Sequence, residues 1–141
     1  MGNELSIDTL KERLNKDINN LEAALALGNI YYDQGNASQA IVYYRHVLEI
    51  NPAMPGVLTD MGAMYWRNDN ISLAEKSFRN AITLDSTFGQ AYVNLGMLLN
   101  RALGNLVEAR LVWQRLINIA PNHAVADKAR ELLKETATTI N

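Results

Sequence analysis

The sequence predicts an all-α fold: a right-handed solenoid of three helix-turn-helix repeats between an N-terminal helix and a C-terminal capping helix. Two observations predict it. A set of small and large residues recurs at a spacing of 34 residues, and such self-similarity indicates stacked repeat units. Within each unit, apolar residues fall at helical spacing before and after a short polar break. We therefore expect two antiparallel helices per unit and no strands.

Eight positions define the repeat. Four lie in the first helix of each unit: Ala24, Leu27, Gly28 and Tyr31, then Leu58, Met61, Gly62 and Tyr65, then Tyr92, Leu95, Gly96 and Leu99. Four lie in the second helix: Ala40, Tyr44, Val47 and Pro52, then Ala74, Phe78, Ala81 and Ser86, then Ala109, Trp113, Leu116 and Pro121. One residue is inserted between Gly96 and Gly104, and we expect it to lengthen or bulge a helix end.

The small residues of the repeat allow helix axes to approach closely. We expect Gly28, Gly62 and Gly96 to mark these contacts, and the aromatic residues of the second helices to fill the wedge between successive units. Each polar break combines a turn residue with an N-cap asparagine. The breaks are Gly35-Asn36, Asp69-Asn70 and Gly104-Asn105. Pro52 and Pro121 are expected to end second helices, because a proline interrupts helical hydrogen bonding.

The repeats divide the chain into three parts. Residues 1–20 are expected to form an N-terminal amphipathic helix and a linker, with Ile7, Leu10 and Leu14 on its apolar side. Residues 21–121 contain the three units, approximately 21–54, 55–88 and 89–122. Residues 122–141 form a capping helix and a tail, and the helix covers the apolar face of the last unit. The N-terminal helix either caps the first unit or is the second helix of a lost repeat.

Composition excludes several classes of partner. The 141 residues carry 13 Lys and Arg against 15 Asp and Glu, a net charge of -2, and the charges are interspersed. We therefore expect no nucleic-acid partner and no membrane contact by the chain as given. The chain has no cysteine, which excludes disulfides and thiolate chemistry but does not fix the compartment. A soluble protein is expected, in the cytoplasm or facing the periplasm if a leader or anchor was removed.

From about Leu21 to Pro121 this pattern resembles the tetratricopeptide repeat (TPR) family. The resemblance implies a concave groove that is lined by the first helix of each unit and binds a protein or peptide. By register, the groove residues are Leu25, Asn29, Tyr32, Asp33, Thr59, Ala63, Trp66, Arg67, Gln90, Val93, Met97, Asn100 and Arg101.

The predicted groove combines apolar anchors with amides. Tyr32, Trp66 and Met97 are expected to anchor a peptide, and the amides of Asn29, Gln90 and Asn100 are expected to pair with its backbone. Alternatively, Tyr32 and Trp66 pack against the helix of the neighbouring unit and complete the core.

Two arginines stand one repeat apart at one end of the predicted groove. Arg67 and Arg101 could meet a ligand carboxylate. The alternative is that they are solvated, or paired with Asp33 and Asp69.

One binding mode of the family is argued against. Members that hold the C-terminal tails of heat-shock chaperones use basic and amide residues, and by register the corresponding positions here are Leu25, Asn29, Asp60, Gln90 and Asn94. Asn29 alone matches. An acid at position 60 would repel a tail carboxylate.

We predict no catalytic, metal or cofactor site. His46 and His123 are interpreted as isolated histidines that are satisfied or solvent-facing. The glycines at 35 and 104 belong to turns of the repeat rather than to a phosphate-binding loop. No acid and base pair is expected among the helical carboxylates, so an enzyme is not predicted.

Three functions follow from this interpretation. The first is a scaffold that binds a peptide or protein segment within a multi-protein assembly. The second comes from units two and three and the cap, which resemble bacterial TPR proteins of the cytochrome c maturation type; that resemblance implies presentation of an apocytochrome segment. The third is self-assembly into a homo-oligomer, in which the N-terminal helix of one copy docks in the groove of the next.

Overall fold

The computed structural model describes residues 6–137, so residues 1–5 and 138–141 of the predicted end segments lie outside the described residues. Within this range the chain forms eight helices and no strand: α1 (Ile7–Lys16), α2 (Leu21–Asp33), α3 (Ala37–Ile50), α4 (Pro55–Arg67), α5 (Ile71–Leu84), α6 (Gly89–Arg101), α7 (Leu106–Ile119) and α8 (Ala124–Thr136). The helices α2 and α3, α4 and α5, and α6 and α7 pack as pairs, and each pair packs on the next. The predicted all-α solenoid is confirmed.

A glycine facing an aromatic ring sets the separation of the two helices in each pair. A Cβ atom built on Gly28 would lie 2.6 Å from the Tyr44 ring, and one on Gly62 would lie 2.6 Å from the Phe78 ring. Such separations are below van der Waals contact, so the glycines are required there. The aromatic rings therefore fill space inside their own unit. They also share a core with the following unit: Tyr44 with Val57 and Met61, and Phe78 with Tyr92 and Leu95, in agreement with the expectation that they fill the space between successive units.

The turns within the units follow the predicted chemistry. Gly35 and Gly104 have φ of 73° and 63°, and Asp69 takes the same left-handed conformation with φ of 61°. The following asparagines each accept a hydrogen bond from the backbone N–H three residues on, as expected for N-caps. They are Asn36, Asn70 and Asn105.

The inserted residue of the third unit does not lengthen a helix, because α6 has 13 residues, as do α2 and α4. It enlarges the turn to Ala102–Asn105, where the N–H of Leu103 reaches the carbonyl of Leu98 at 3.1 Å. The N–H of Asn105 reaches the carbonyl of Leu99 at 2.7 Å. These bonds form a bulge at the end of α6, which agrees with the second of the two expectations.

The terminal helices cover the ends of the solenoid. In α1, Leu10 and Leu14 are buried against the first unit, so α1 caps that unit. In α8, Ala126, Ala129 and Leu132 are buried. The core is consequently continuous with the caps at both ends, as a repeat array requires.

Candidate functional site

The first helices of the units form one face of the solenoid, because α4 packs against α6 as well as against its own partner. We call the accessible side of α2, α4 and α6 the groove face. The predicted groove residues that are exposed or half-exposed on these helices are Leu25, Asn29, Tyr32, Asp33, Ala63, Trp66, Arg67, Gln90, Met97, Asn100 and Arg101.

Two predicted groove residues belong to the core instead. Thr59 is 1% exposed and Val93 is 3% exposed. The Thr59 hydroxyl donates to the carbonyl of Pro55 at 2.8 Å, and the indole N–H of Trp113 donates to the carbonyl of Val93 at 3.3 Å. Neither side chain is therefore available to a partner, whereas Leu25, at the equivalent position of the first unit, is half-exposed.

A pocket lies on the groove face between α2 and α4. It is an open depression of about 420 Å³ lined by Tyr32, Ala63, Met64, Trp66 and Arg67. Tyr32 packs partly against the core of the first unit, and Trp66 packs partly against the core of the second and third units. Both aromatics therefore pack partly against the core, as the second interpretation expects, and also line the pocket. Their role as peptide anchors stays a prediction.

Asn29 is held in place by a residue of the second helix. The hydroxyl of Tyr44 donates to Oδ1 of Asn29 at 2.7 Å. Since this bond uses the amide oxygen, the amide nitrogen, with two N–H donors, is left toward solvent. The ring of Tyr44 lies 6.4 Å from that of Tyr32, so the amide sits next to the pocket.

Two carboxylates beside the pocket carry unbalanced charge. Asp60 is half-buried on α4, and Asp33 is exposed at the end of α2. Neither takes part in a side-chain hydrogen bond or an ion pair within residues 6–137. Burial raises the pKa of Asp60, and the negative charge of Asp33 raises it further. The two acids therefore share one region of negative potential.

The negative charges of these acids also affect the pKa values of the neighbouring tyrosines. Burial raises the pKa of Tyr32, the charges of Asp60 and Asp33 raise it further, and Arg67 opposes them. Burial followed by the charge of Asp60 also raises the pKa of Tyr44. The sequence interpretation treated Asp60 as an obstacle to a chaperone tail and left it out of the groove. The sequence did contain a signal that could have identified Asp60: it is a carboxylate at the repeat position where the first unit has Ala26.

The arginines of the groove face are not neutralised. Neither Arg67 nor Arg101 forms an ion pair within 4 Å in the part of the chain that the structure describes, so their predicted alternative pairing with Asp33 and Asp69 is wrong. The guanidinium of Arg67 instead lies over the turn of the first unit, where a Cβ atom built on Gly35 would be 2.8 Å from Nη2. Arg67 is thus at the rim of the pocket.

Apart from Arg101 at the end of α6, the third unit presents uncharged groups on the groove face. The amide of Gln90 donates to Oδ1 of Asn94 at 2.8 Å, and Met97 packs partly against the core. This end of the groove face offers amide and thioether groups, whereas the end formed by α2 and α4 offers aromatic and charged groups.

The histidines are bound into the fold. Nε2 of His46 lies 2.6 Å from the carbonyl oxygen of Ile18, and its Nδ1 lies 3.5 Å from Glu49. The prediction from the sequence that His46 is isolated is wrong. The imidazole is satisfied by these partners and connects α3 to the segment that follows α1. His123 is the N-cap of α8, where Nδ1 accepts from the N–H of Val125 at 3.1 Å. No cluster of three or more potential metal ligands occurs in residues 6–137.

The helix pairs and their groove face define a class of protein: a helical-repeat solenoid with a surface suited to a polypeptide ligand. Two family models match the chain, a TPR repeat at residues 28–69 and a tetratricopeptide repeat at residues 90–123. Solved TPR domains share its fold. The chain belongs to the tetratricopeptide repeat family.

Among curated proteins, the chain is similar to RNA polymerase II-associated protein 3 of mouse, at 27% identity over 112 residues, and of human, at 28% over 115 residues. These matches cover 79% and 81% of this chain and 17% of each relative. Tetratricopeptide repeat protein 8 of Caenorhabditis elegans is 25% identical over 84% of this chain and 24% of its own length. The chain thus spans about a sixth of the polymerase-associated relatives. These animal proteins do not support a bacterial origin.

Two solved structures illustrate the likeness. The first TPR of Spaghetti (RPAP3), bound to the HSP90 peptide SRMEEVD, superposes with a TM-score of 0.72 and 28% identity, covering 83% of this chain and 94% of that one. MamA superposes with a TM-score of 0.77 and 23% identity, covering 94% and 85%. The latter shows the fold alone. Among the described residues no helix has the length and apolar content to cross a bilayer.

Proposed function

We propose that this chain is a protein interaction scaffold that binds a peptide segment of a partner protein on the groove face, as one part of a multi-protein assembly. The observation that carries the proposal is the pocket between α2 and α4. It places the half-exposed rings of Tyr32 and Trp66 beside the oriented amide of Asn29. Aromatic anchors next to fixed hydrogen-bond donors are the usual elements of a peptide site.

The relatives support a peptide-binding role of this coarse kind. One TPR neighbour holds an HSP90 peptide, and another, TPR2B of yeast Sti1, is in complex with an Hsp70 segment. The particular ligand does not follow from them, because this chain has Asp60 on the groove face.

The other two predicted functions gain no support. Self-assembly through the N-terminal helix would need the apolar side of α1 to enter another copy, but Leu10 and Leu14 are already buried against the first unit. The resemblance to cytochrome c maturation proteins stays a prediction, since neither the relatives nor the neighbours described above bear on it.

A pull-down from an extract of the source organism tests the proposal. The parent is compared with a variant in which Tyr32, Trp66 and Met97 are changed to Ala, and bound proteins are identified by mass. Because these side chains also contact the core, a second variant, Ala63→Gln, obstructs the pocket without removing core atoms. The matched control changes the exposed Val107 and Leu111 of α7 to Ser; these are 69% and 65% exposed.

The expected result is a partner that the parent and the α7 control retain and that both groove variants lose. Circular dichroism checks that all four proteins remain helical. A partner retained by both groove variants and lost by the α7 control would move the site to the outer surface and contradict the proposal.

A further inference from the structure

We infer that the pocket between α2 and α4 takes a cationic side chain of the partner peptide, lysine or arginine, with its carbon chain against Tyr32 and Trp66 and its charge beside Asp60. This inference rests on the proposed function and specifies the chemistry of its ligand. Three features of the described residues carry it: the aromatic walls, the unpaired carboxylates and the way in which Arg67 is oriented.

The walls of the pocket suit a long side chain with a charged end. Tyr32 and Trp66 present ring surface on two neighbouring helices, and Ala63 leaves room between them. Lysine and arginine lay their methylene groups along apolar surface and keep the charged group at its end. An aromatic face also attracts a cation directly.

The carboxylates supply the complementary charge. Asp60 is half-buried without an ion pair or a side-chain hydrogen bond in residues 6–137, and Asp33 stands nearby with no partner either. A partly desolvated carboxylate next to a second one is destabilised in its charged form. A cation beside Asp60 offsets the cost of its partial desolvation and its repulsion by Asp33, whereas an acidic ligand adds to the repulsion.

Arg67 does not cancel this negative charge. Its guanidinium makes no ion pair with either acid in the described range and lies over the turn at Gly35. Of the five residues that line the pocket, Arg67 alone is charged. Asp60 lies one helical turn before Ala63 and Met64 on the same face of α4, and Asp33 follows Tyr32, so two carboxylates stand next to the pocket against one guanidinium. The RPAP3 neighbour binds the peptide SRMEEVD, which contains three acidic residues. Such an acidic peptide has the opposite charge to the ligand that this pocket favours.

Peptide pools of defined charge test the inference on the full chain. Three acetylated and amidated nonapeptide pools carry lysine, norleucine or glutamate at the central position and the same mixture elsewhere. Binding to the immobilised protein is measured by fluorescence. The lysine pool is expected to bind about tenfold more tightly than the norleucine pool, and the glutamate pool the least.

The variant Asp60→Asn removes the charge and keeps the shape of the side chain. We expect it to lower the affinity for the lysine pool about tenfold and to leave the norleucine pool unchanged. Glu12→Gln, on the exposed side of α1, makes the same change in net charge away from the pocket and should have no effect. Circular dichroism confirms that both variants fold.

The failures of the two proposals are distinguishable. If the norleucine or glutamate pool binds as well as the lysine pool, or if Asp60→Asn binds the lysine pool as the parent does, the cationic ligand is wrong. The groove proposal then survives provided that Ala63→Gln still abolishes binding. If no pool binds the parent, or if Ala63→Gln binds every pool unchanged, both proposals are overturned.

Discussion

The hydroxyl of Tyr44 donates a hydrogen bond of 2.7 Å to the side-chain oxygen of Asn29. The ring of Tyr44 fills the space above Gly28 inside the first unit, while Asn29 is exposed on the groove face. One side chain thus connects the packing of a helix pair to the orientation of a group that could contact a ligand. A rigid donor binds with less loss of conformational entropy than a mobile one.

Tyr44→Phe should separate these two roles. The ring still packs on Gly28, but the bond to Asn29 is lost, so we expect the free energy of unfolding to fall by about 1 kcal/mol. Affinity for the partner found in the pull-down should fall several-fold, because Asn29 is no longer fixed. Urea denaturation measures the free energy of unfolding, and titration with the partner measures the affinity. Tyr43→Phe is the matched control: the Tyr43 hydroxyl makes no hydrogen bond within the described range. Equal affinities of parent and Tyr44→Phe would show that the orientation of Asn29 is unimportant.

Gly62→Ala should destabilise the chain even though alanine favours helices. The added Cβ atom would lie 2.6 Å from the Phe78 ring, so the two helices of the central unit must separate, at a cost of about 1–3 kcal/mol. Gly56→Ala, on the same helix, is the control. Its Cβ atom would meet nothing closer than Phe88 at 3.8 Å, so this change should be neutral or stabilise by up to about 1 kcal/mol. Urea denaturation of the two variants should give opposite or clearly unequal shifts; equal shifts would contradict the proposed contact.

Asp60→Asn should raise the melting temperature at neutral pH. The folded-state pKa of Asp60 is raised by burial and by Asp33, whereas the pKa of an unfolded aspartate is about 3.9. The folded state therefore binds the proton more tightly, and ionisation of Asp60 removes stability as the pH rises through the unfolded and then the folded pKa. Below the pKa of the unfolded chain, the Asp60 carboxyl is protonated in both the folded and the unfolded state. The parent is then no longer destabilised by its ionisation.

Thermal melts followed by circular dichroism, from neutral pH to below about 4, measure the difference in melting temperature between the variant and the parent. It should be largest at neutral pH and should shrink as the pH falls below about 4. Asp33→Asn should give a smaller gain of the same sign, because it removes the second cause of the shift. A variant less stable than the parent at neutral pH would mean that Asp60 is paired in solution.

Arg79 joins the second and third units through Glu108 and is also paired with Glu75 of its own helix. Its side chain donates to Glu75 at 2.9 Å and to Glu108 at 2.8 Å, and Glu108 also accepts from the Asn105 amide at 3.1 Å. Since these groups are partly solvated, Arg79→Met should cost no more than about 1 kcal/mol at low salt. The cost should decline in concentrated sodium chloride, because salt screens exposed charges.

The exposed Lys128, 3.9 Å from Glu131 on the same helix, provides the comparison. Lys128→Met should change stability less than Arg79→Met, since it does not connect two units. Urea denaturation at two salt concentrations gives both values. A salt-independent loss in Arg79→Met would assign the effect to packing of its carbon chain instead.

Much of the fold follows from short-range patterns. The glycine positions, the left-handed turns and the asparagine caps each depend on a few neighbouring residues, so the repeat period locates them. The bulge at Ala102–Asn105 is less predictable. The sequence shows that one residue is inserted, but whether it extends α6 or enlarges the turn depends on where the next helix must begin.

The sequence by itself determined the helix pairs and the repeat, because helical periodicity and capping are local; the groove positions came from the resemblance to the family. Tertiary structure alone decided which groove positions are accessible. It buried Thr59 and Val93, brought the half-buried Asp60 close to Asp33 of the preceding unit, and left Arg67 without an ion pair in the described residues. The reason is geometric: the angle at which successive pairs stack fixes which side chains of different units meet, and no period along the chain records that angle.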